Sequence, residues 1–492
     1  AVFTACDTCA GDPSPPVWQI KAARVIHNQH ARRIDYEDAR LEFFGVPVLY
    51  TPFFFHPDPT VARQSGFLAP TYTTSSHLGL KLKVPYYFDL APHRDATFSP
   101  TFTSREGIVL GGELREHTRS GAYRLEASLT NPEERDGADR TGGHDIRGHA
   151  RASGRFDIDP VWRWGFDAAR ATDDTYLRRY GISRENTLIS NAFVESFDGR
   201  NHAAVNAWAF QGLREDDVPG ETPLVLPMVE YSLVTDPGHR GQTVAANANL
   251  MALTRNAGTD SWRISGSGTW RLPYTAPLGD VYTLTASLRA DAYLVSGVKN
   301  PNDPAGPTEN GYIGRALPRV AMNWRFPFIR SGLQAEYLIE PVVSVVAAPH
   351  GGNPGKIPNE DSRSFEFDDT NLFSASRFPG LDRWEGGPRL NYGVRFGAYG
   401  LTSSATALIG QTVRDRDRSL FDERSGLNTR PSDYVGRVHV SMPNFSYTQR
   451  ARVDQKSFSF RRNEISLNIG PEDLRLSTEY VFLSEELSTE NL

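Results

Sequence analysis

The chain has 492 residues, of which 23% are charged and 39% hydrophobic, and its mean hydropathy is −0.45. No stretch approaches the roughly 18 consecutive apolar residues that a membrane-spanning helix requires, which excludes a helical membrane protein. The formal net charge of −6 is small for this length and spread along the chain, which argues against nucleic acid as the main partner.

The N-terminal residues carry the chain's two cysteines. The sequence begins AVFTAC, without an initiator Met or a basic segment followed by an apolar one, so we expect a processed or trimmed piece. Cys6 and Cys9 form the motif CDTC, which can be a redox pair, half of a zinc site or a disulfide partner. Zinc is disfavoured because no second Cys pair or suitably spaced His cluster accompanies the motif, and redox chemistry because no thioredoxin-like βαβ context surrounds it. No metal and no cofactor is expected.

Residues 1–62 form the first predicted unit. From Trp18 onward they alternate as strands, and the apolar density rises through Phe43 and Phe44 towards Phe54. Such runs are typical of strands buried on both faces, as in β-sandwiches, jelly rolls and β-helices. Because about 60 residues make a small independent core, we expect this unit to be the end of a larger β domain.

From Gly66 the pattern changes to short strands with alternating polarity, separated by polar turns. The clearest run lies within VYTLTASLRADAYL, whose apolar members alternate with Thr, Ser, Arg and Asp: Tyr282, Leu284, Ala286, Leu288, Ala290 and Ala292. Alternation over about ten residues, repeated without a helical segment, is typical of a transmembrane β-barrel. At about 20 residues per strand and turn, residues 63–492 predict about twenty strands.

A set of β-sandwiches with one wet face each would also alternate. The barrel is favoured because the predicted lipid face carries Leu, Ala, Val and Tyr, whereas the opposite face carries Arg, Asp and Glu in mid-strand. Tyr and Trp near strand ends also fit the aromatic girdles of a membrane barrel.

Three acidic or His-containing pairs are candidates for catalysis or for binding divalent cations: Asp173–Asp174, Asp216–Asp217 and His144–Asp145. All three fall in polar, turn-like segments, where solvated charge is the expected state. The chain contains no GxSxG, HExxH or P-loop motif. The sequence therefore predicts no catalytic residue and no enzyme.

Four stretches carry a resemblance to a known family. They are LEFFGVPVLYTPFFFHPDPTVARQSGFLAP (Leu41–Pro70), PYYFDLAPHRDATFSP (Pro85–Pro100), YLIEP (Tyr337–Pro341) and the segment Glu360–Gly387. They closely resemble the outer-membrane lipopolysaccharide-assembly family LptD, also called the organic solvent tolerance family, and most of all its alphaproteobacterial members. The resemblance extends over about Trp18–Tyr392.

The resemblance implies the end of a periplasmic β-jellyroll in residues 1–62 and a large antiparallel transmembrane β-barrel in 63–492. Family barrels have about 26 strands, and the last of them are expected to be missing here, which leaves the barrel incomplete at its C-terminus. The implied function is a translocon in the cell outer membrane that inserts lipopolysaccharide into the outer leaflet through a lateral gate between the first and last strands. The implied partners are lipopolysaccharide, the plug lipoprotein LptE and a periplasmic bridge of jellyrolls such as LptA.

The same resemblance implies roles for individual residues. Pro70 and Pro85 match prolines of the family's gate strands, where a missing backbone donor favours opening. The family also joins jellyroll cysteines to distal ones by disulfides, so Cys6 and Cys9 are possible disulfide partners here, bonded locally, bonded to another chain, or free. Phe43, Phe44 and Phe54 are the candidates for a lipid route through the jellyroll.

Two other functions remain open on the sequence alone. One is a general outer-membrane pore or transporter, although the short aromatic unit does not resemble a plug domain. The other is a soluble all-β carbohydrate-binding or hydrolytic protein, which predicts solubility without detergent and no aromatic girdles. The sequence does not identify the side chains that contact lipopolysaccharide or fix strand register and number.

Overall fold

The computed structural model describes residues 2–3, 17–58, 60–61, 63–136, 139–218, 220–299, 307–362, 366–417 and 421–484. The chain is almost entirely β and divides into two compact units. Unit 1 comprises Ala1–Phe156 and Asp167–Leu188, and unit 2 comprises Asp157–Phe166 and Ile189–Leu492. The described residues contain no helix long and apolar enough to cross a membrane.

Unit 1 begins with a four-stranded antiparallel sheet in sequence order. Its strands are β1 (Val2–Phe3), β2 (Trp18–Asn28), β3 (Arg33–Phe43) and β4 (Val46–Pro57). A small core holds it together: Ala22, Tyr36 and Ala39 are buried, and the Tyr36 hydroxyl lies 2.8 Å from Nε2 of His56. Cross-strand aromatic and hydrogen-bonded pairs of this kind stabilise such small sheets.

The predicted burial of the apolar run on both faces is wrong for the described residues. Phe43, Phe44, Tyr50 and Phe54 are 43%, 66%, 56% and 38% exposed. The reason is that β4 is the edge strand of the sheet and pairs with β3 alone, so its large side chains have neighbours on one side only. Of the described residues, nothing covers this run as a sandwich partner would.

A second, larger antiparallel arrangement follows in unit 1. Its strands are β5 (Gly66–Phe67), β6 (Thr71–Ser75), β7 (Gly79–Lys83), β8 (Tyr86–Ala91), β9 (Arg94–Thr103), β10 (Gly107–His117), β11 (Gly121–Thr130) and, after a hairpin, β14 (Arg147–Asp157). The hairpin, β12 (Glu133–Asp136) and β13 (Asp139–His144), is a separate two-stranded sheet. The chain continues through β15 (Trp162–Ala171) and the single-turn helix α1 (Tyr176–Arg179). Strands β9, β10, β11 and β14 pair in that order.

Unit 2 contains the first half of β15 and, apart from Thr187 and Leu188 at the start of β16, the remaining strands. They are β16 (Thr187–Asp198), β17 (Asn201–Gly212), β18 (Leu224–Val234), β19 (Thr243–Thr254), β20 (Asp260–Thr275), β21 (Val281–Val298), β22 (Glu309–Arg325), β23 (Phe328–Ser331), β24 (Ala335–Ala347), β25 (Arg389–Gly400), β26 (Ser404–Arg414), β27 (Tyr434–Met442), β28 (Phe445–Val453), β29 (Phe460–Ile469) and β30 (Leu476–Leu483). From β17 to β22 and from β24 to β30 each strand pairs with the next along the chain. This up-and-down, all-antiparallel topology confirms the predicted fold class, an all-β protein of the β-barrel type.

The alternation predicted along β21 is also confirmed. Trp262 of β20 is paired with Leu294 of β21, and both are more than half exposed. The next pair along, Arg263 with Tyr293, is almost completely buried. One face of the sheet is therefore apolar and open, while the other carries polar groups and is covered from within the unit.

The cover comes from two long connections, residues 348–388 and 415–433. Their described residues contain no strand and only one short helix, the 3₁₀ turn Glu423–Ser425. Aromatic and aliphatic side chains of the two connections meet in a buried cluster: Phe367, Leu372, Phe421, Leu427 and Val435, the last from β27. Sequence analysis did not foresee that these two connections form a core of their own.

Candidate functional site

The exposed aromatic residues of the N-terminal sheet form the first candidate surface. We call Phe53, Phe54 and Phe55 of β4, with Phe43 and Phe44 beside its start, the aromatic surface. All five are more than one third exposed. Phe54 packs beside Tyr36, with 5.8 Å between ring centroids, whereas Phe53 packs beside Phe55 at 6.3 Å. Because neighbouring residues of a strand point to opposite faces, the two sets occupy different faces of the edge strand.

The end of this sheet is fixed by a polar contact. The Asp58 carboxylate contacts Nε2 of His27 and accepts hydrogen bonds from the backbone N–H and the hydroxyl of Thr60 at 2.9 and 2.7 Å. The hydrogen bonds from Thr60 lower the pKa of Asp58 from its ordinary value. This contact holds the residues that lead towards β5.

The second candidate feature is a break in the first two strands of the larger sheet. Pro70 lies between β5 and β6, and Pro85 lies between β7 and β8. The two breaks are adjacent, since the N–H of Leu68 donates to the carbonyl oxygen of Pro85 at 2.9 Å. Ladder pairing resumes on one side of them at Phe67–Tyr86 and on the other at Thr71–Lys83. Proline has no N–H to donate, so the ladder is weakened at one level across both strands.

A cavity of about 400 Å³ lies directly beside this break, within unit 1. Its floor is formed by β6, β7 and β9, whose register sets Lys81 between Thr73 and Thr103, and Lys83 between Thr71 and Thr101. The cavity continues over β10, where Gly111 has no side chain to fill it, and over β11 to His149 of β14. We call it the lysine pocket.

The roof of the lysine pocket is the connection between β15 and β16. Tyr180, Gly181 and Ile182 line the cavity, and the Tyr180 carbonyl accepts a hydrogen bond of 2.8 Å from Nζ of Lys81. The Tyr180 hydroxyl donates to Glu106 at 2.7 Å, and Arg179 forms an ion pair with the same carboxylate. Burial, followed by the bond to Glu106, raises the pKa of Tyr180 above its ordinary value. We call residues 173–182 the roof segment.

Asp173 anchors the start of the roof segment. Its carboxylate pairs with Arg147 and accepts hydrogen bonds from the backbone N–H groups of Thr175 and Tyr176 at 3.0 and 2.9 Å. Burial tends to raise the pKa of Asp173, but the bonds from Arg147, Thr175 and Thr172 outweigh it and hold the pKa well below its ordinary range. The expectation that Asp173 is a solvated turn charge is wrong. The neighbouring Asp174 is exposed.

In unit 2 the long connection 348–388 is tied to the strands by charged groups. Arg263 of β20 contacts Asp361 at 2.6 Å and Asp382 at 2.8 Å, and Asp382 also accepts from the Tyr293 hydroxyl at 3.2 Å. Burial raises the pKa of Asp382, with Asp361 adding to the effect, whereas the Arg263 charge and backbone donors lower that of Asp361 to about 2. The two carboxylates thus share one buried guanidinium.

Glu385 is the second anchor. Its side chain is fully buried and accepts hydrogen bonds from the backbone N–H and the Nη1 of Arg377 at 2.9 and 2.6 Å. Arg414 also donates to it, and Arg389 lies 3.6 Å away. Burial opposes ionisation, but the three guanidinium groups together lower the pKa of Glu385 to about 2. One carboxylate therefore holds the connection to β25 and β26.

The other residues singled out by sequence analysis have no comparable site. Cys6 and Cys9 lie outside the described residues. Asp217 accepts from the Arg214 N–H at 2.9 Å within its own turn, and Nδ1 of His144 lies 3.4 Å from a backbone carbonyl. Among the described residues no cluster of three or more His, Cys, Asp or Glu side chains is placed to hold a metal ion.

Sequence reasoning missed the lysine pocket and its roof. One signal was available: the chain has six Lys against 47 Arg, and two of the six stand two residues apart in one strand. That signal does not place Lys81 beside the roof segment, because nearly one hundred residues separate Lys81 from Tyr180.

The comparisons with known proteins agree over nearly the whole chain. A family model described as "LPS transport system D" matches residues 145–492, and one described as "LptD protein" matches residues 36–139. The curated "LPS-assembly protein LptD" of Nitrosococcus oceani is 27% identical over 88% of this chain and 58% of its own length. That of Idiomarina loihiensis is 27% identical over 94% and 61%, and that of Thiobacillus denitrificans 30% identical over 78% and 50%. The chain thus spans about three fifths or less of these relatives.

A solved structure titled "Bacterial polysaccharide outer membrane secretin" aligns with 74% of this chain and 90% of its own. The identity is 12% and the TM-score 0.19, a likeness too low to bear on the fold.

Proposed function

Because the chain belongs to the LptD family of lipopolysaccharide-assembly proteins, we propose that it is the membrane-inserting part of an outer-membrane lipopolysaccharide translocon. Residues 1–62 are then the end of a periplasmic β-jellyroll, and residues 63–492 belong to a transmembrane β-barrel. Lipopolysaccharide enters from the periplasmic side and leaves sideways into the outer leaflet. This work is geometric and assigns no catalytic role to any residue.

The observation that supports a lateral gate is that the breaks at Pro70 and Pro85 are adjacent. The two prolines remove two ladder donors at one level of the first two strands. A backbone hydrogen bond contributes about 1 kcal/mol net, so each missing donor lowers the cost of parting strands by about that amount. A seam between the first and last strands of the complete barrel would open next to this break.

The aromatic surface supports a route for acyl chains. Its exposed side chains, with Phe43, Phe44 and Phe54 as the members named from sequence, offer an apolar track on the edge of the N-terminal sheet. Exposed apolar area of this extent typically marks a binding surface. An edge strand also offers unpaired backbone groups for another sheet to extend, which suits a periplasmic jellyroll such as LptA.

The plug lipoprotein LptE is the proposed occupant of the barrel interior. The polar face that alternates with the apolar one along the strands is the surface such a plug would meet. The protein is accordingly assigned to the outer membrane, with its N-terminal sheet in the periplasm. A disulfide at Cys6 and Cys9 remains a proposal from the family alone.

The test is photocrosslinking in cells, with the full-length parent protein. A photoreactive residue replaces Phe54 in the aromatic surface or Leu68 and Tyr72 beside Pro70, and Arg24, an exposed polar position on the same sheet, is the control. Lipopolysaccharide adducts at Phe54 and beside Pro70, with few at Arg24, are expected. A well-folded parent that gives adducts at neither place contradicts the translocon and favours a general pore.

A further inference from the structure

The lysine pocket has a charge imbalance that the proposed translocation route does not explain. Among the described residues, no carboxylate lies within ion-pair distance of Lys81 or Lys83. Lys81 gives its one identified hydrogen bond to a neutral carbonyl oxygen of Tyr180. The two ammonium groups stand on one face of β7, two residues apart, and repel each other. Two like charges held together in a roofed cavity are stabilised by an anion between them.

The carboxylates that line the far wall are already engaged. Glu113 lies 3.1 Å from Arg124 and 3.3 Å from Arg115, and Glu126 lies 3.2 Å from Arg124 and 3.6 Å from Nε2 of His149. These carboxylates therefore do not neutralise the two lysines across the cavity. The positive end of the lysine pocket is the end beside the proline break.

Hydroxyl groups surround both lysines. Thr73 and Thr103 flank Lys81 across the strands, and Thr71 and Thr101 flank Lys83. The Thr103 hydroxyl is already engaged, since it donates to the Gly107 carbonyl at 2.9 Å and accepts from the Glu106 N–H at 3.1 Å. A hydroxyl both donates and accepts, which suits the hydroxyl groups of a sugar, whereas ammonium groups bind phosphate oxygens as point charges. A cavity of about 400 Å³ is within the range of small-ligand sites.

The opposite face of the same strands is apolar. Tyr72 and Leu82, which form a cross-strand pair, are 79% and 40% exposed on that face. Phe67, on the far side of the proline break, is 76% exposed. A ligand with a polar head and apolar chains can thus place its head among the lysines while its chains leave at the proposed seam beside the weakened ladder at Pro70 and Pro85.

We propose that the lysine pocket binds the phosphorylated sugar headgroup of the translocated lipid, with Lys81 and Lys83 on a phosphate group and Thr71, Thr73 and Thr101 on sugar hydroxyls. This inference rests on the proposed function and deepens it. The roof segment closes over the headgroup, and the lysines hold it at the level where the strands part. The pocket thereby selects phosphorylated glycolipid and orients it head inward before release.

The test measures binding to the purified full-length protein in detergent. The probes are a diglucosamine lipid bearing phosphate groups, the same lipid with its phosphates removed, and inorganic phosphate. The variants are Lys81→Gln with Lys83→Gln, the charge-preserving pair Lys81→Arg with Lys83→Arg, and Lys456→Gln, in a turn of unit 2, as a lysine control.

The wild-type protein is expected to bind the phosphorylated lipid at least tenfold more tightly than the dephosphorylated one. The double Gln variant loses that preference, whereas the double Arg variant and Lys456→Gln keep it. Inorganic phosphate competes weakly. Equal binding of both lipids by the wild type, or an unchanged preference in the double Gln variant, overturns the proposal. Inorganic phosphate that binds as tightly as the glycolipid also overturns it, because the site is then one for free phosphate.

Failure of this inference is distinguishable from failure of the proposed function. Crosslinking at Phe54 reports the periplasmic route and does not involve the lysine pocket. Retained adducts at Phe54, together with normal lipid binding by the double Gln variant, would contradict the role of the lysine pocket but not the translocon function. Retained adducts at Phe54 and lost adducts at Tyr72 in the double Gln variant are the expected result in cells.

Discussion

The carbonyl oxygen of Pro85 accepts a hydrogen bond of 2.9 Å from the backbone N–H of Leu68, so the interruptions of the first two strands lie side by side. A single proline weakens one ladder position, and a neighbouring pair weakens the same level from both strands. The residues that flank this level differ by face, with Lys83 towards the cavity and Tyr72 exposed on the other side. At the weakened ladder positions, the sheet thus separates a polar surface from an apolar one.

Replacing Pro70 and Pro85 by Ala should strengthen this level of the sheet. Each substitution returns a backbone donor, and each bond formed stabilises the closed strands by about 1 kcal/mol. In the full-length parent, arrival of newly made lipopolysaccharide at the cell surface should slow several-fold, as measured by pulse labelling. Pro318→Ala, in a strand of unit 2, is the matched control and should leave the rate unchanged. An unaltered rate in the double variant would contradict the gate.

Phe54→Ser should impair lipid transfer more than Phe53→Ser. Phe53 is 54% exposed and Phe54 38%, and they lie on opposite faces, since Phe54 packs beside the buried Tyr36 whereas Phe53 packs beside Phe55. Removing one Phe side chain that a bound acyl chain would cover lowers the favourable free energy of binding by up to about 1.5–3 kcal/mol. Crosslinking from a periplasmic donor jellyroll measures the transfer. An equal loss of lipid transfer in both variants would contradict a preference for the face of the strand that carries Phe54.

Asp173→Ala should loosen the roof segment. The carboxylate accepts two backbone hydrogen bonds at the start of α1 and pairs with Arg147, and loss of such a cap costs about 1–2 kcal/mol. Hydrogen exchange of the amides of Tyr180 and Ile182 should therefore become about tenfold faster. Asp174→Ala, at the exposed neighbouring position, should not change it. Equal protection in both variants would contradict the anchoring role of Asp173.

Glu385→Gln should release the connection 348–388 from β25 and β26. The substitution leaves Arg377 and its neighbouring guanidinium groups buried without their carboxylate, and breaking such a network typically costs about 3–5 kcal/mol. Hydrogen exchange of amides 371–386 reports the release. Glu215→Gln, at an exposed position of unit 2, is the charge-matched control and should leave exchange unchanged. Unchanged protection of these amides from exchange in the Glu385 variant would contradict the prediction.

The same carboxylate predicts the direction of a pH effect. Its folded-state pKa of about 2 is below the ordinary value of 4.5, so the unfolded connection binds protons first as pH falls. The stabilisation from Glu385 is complete above about pH 4.5 and is lost as pH falls towards about 2. Near-ultraviolet circular dichroism of the buried aromatic cluster should decline over that window in the wild type. The Glu385→Gln variant should show a flatter profile, and identical profiles would refute the assignment.

The fold could be read largely from local pattern. Alternation along β21 located its lipid-type face because each side chain of a strand points opposite to the last, whatever the strand pairs with. The outcome for β4 shows the limit of that reasoning. Its apolar run resembles a strand buried on both faces, yet burial depends on whether other elements cover Phe44 and Phe54, and the described residues do not.

The candidate site could be predicted only in part. Pro70 and Pro85 were identified from sequence because proline acts on its own backbone, wherever the strand lies. The lysine pocket was not, because it needs Tyr180 over Lys81, which depends on how the connection between β15 and β16 folds. Asp173 was misread for the same reason, since its partner Arg147 comes from another strand.

An all-β chain, the alternation of its strands and the positions of the proline breaks follow from sequence alone, because period-2 polarity and the missing proline N–H are local properties. Which polar side chains meet depends on the folded chain. Arg263 and Asp382 are separated by 119 residues and are both buried in one ion pair. Such contacts depend on register and on the path of long connections, which local propensity does not fix.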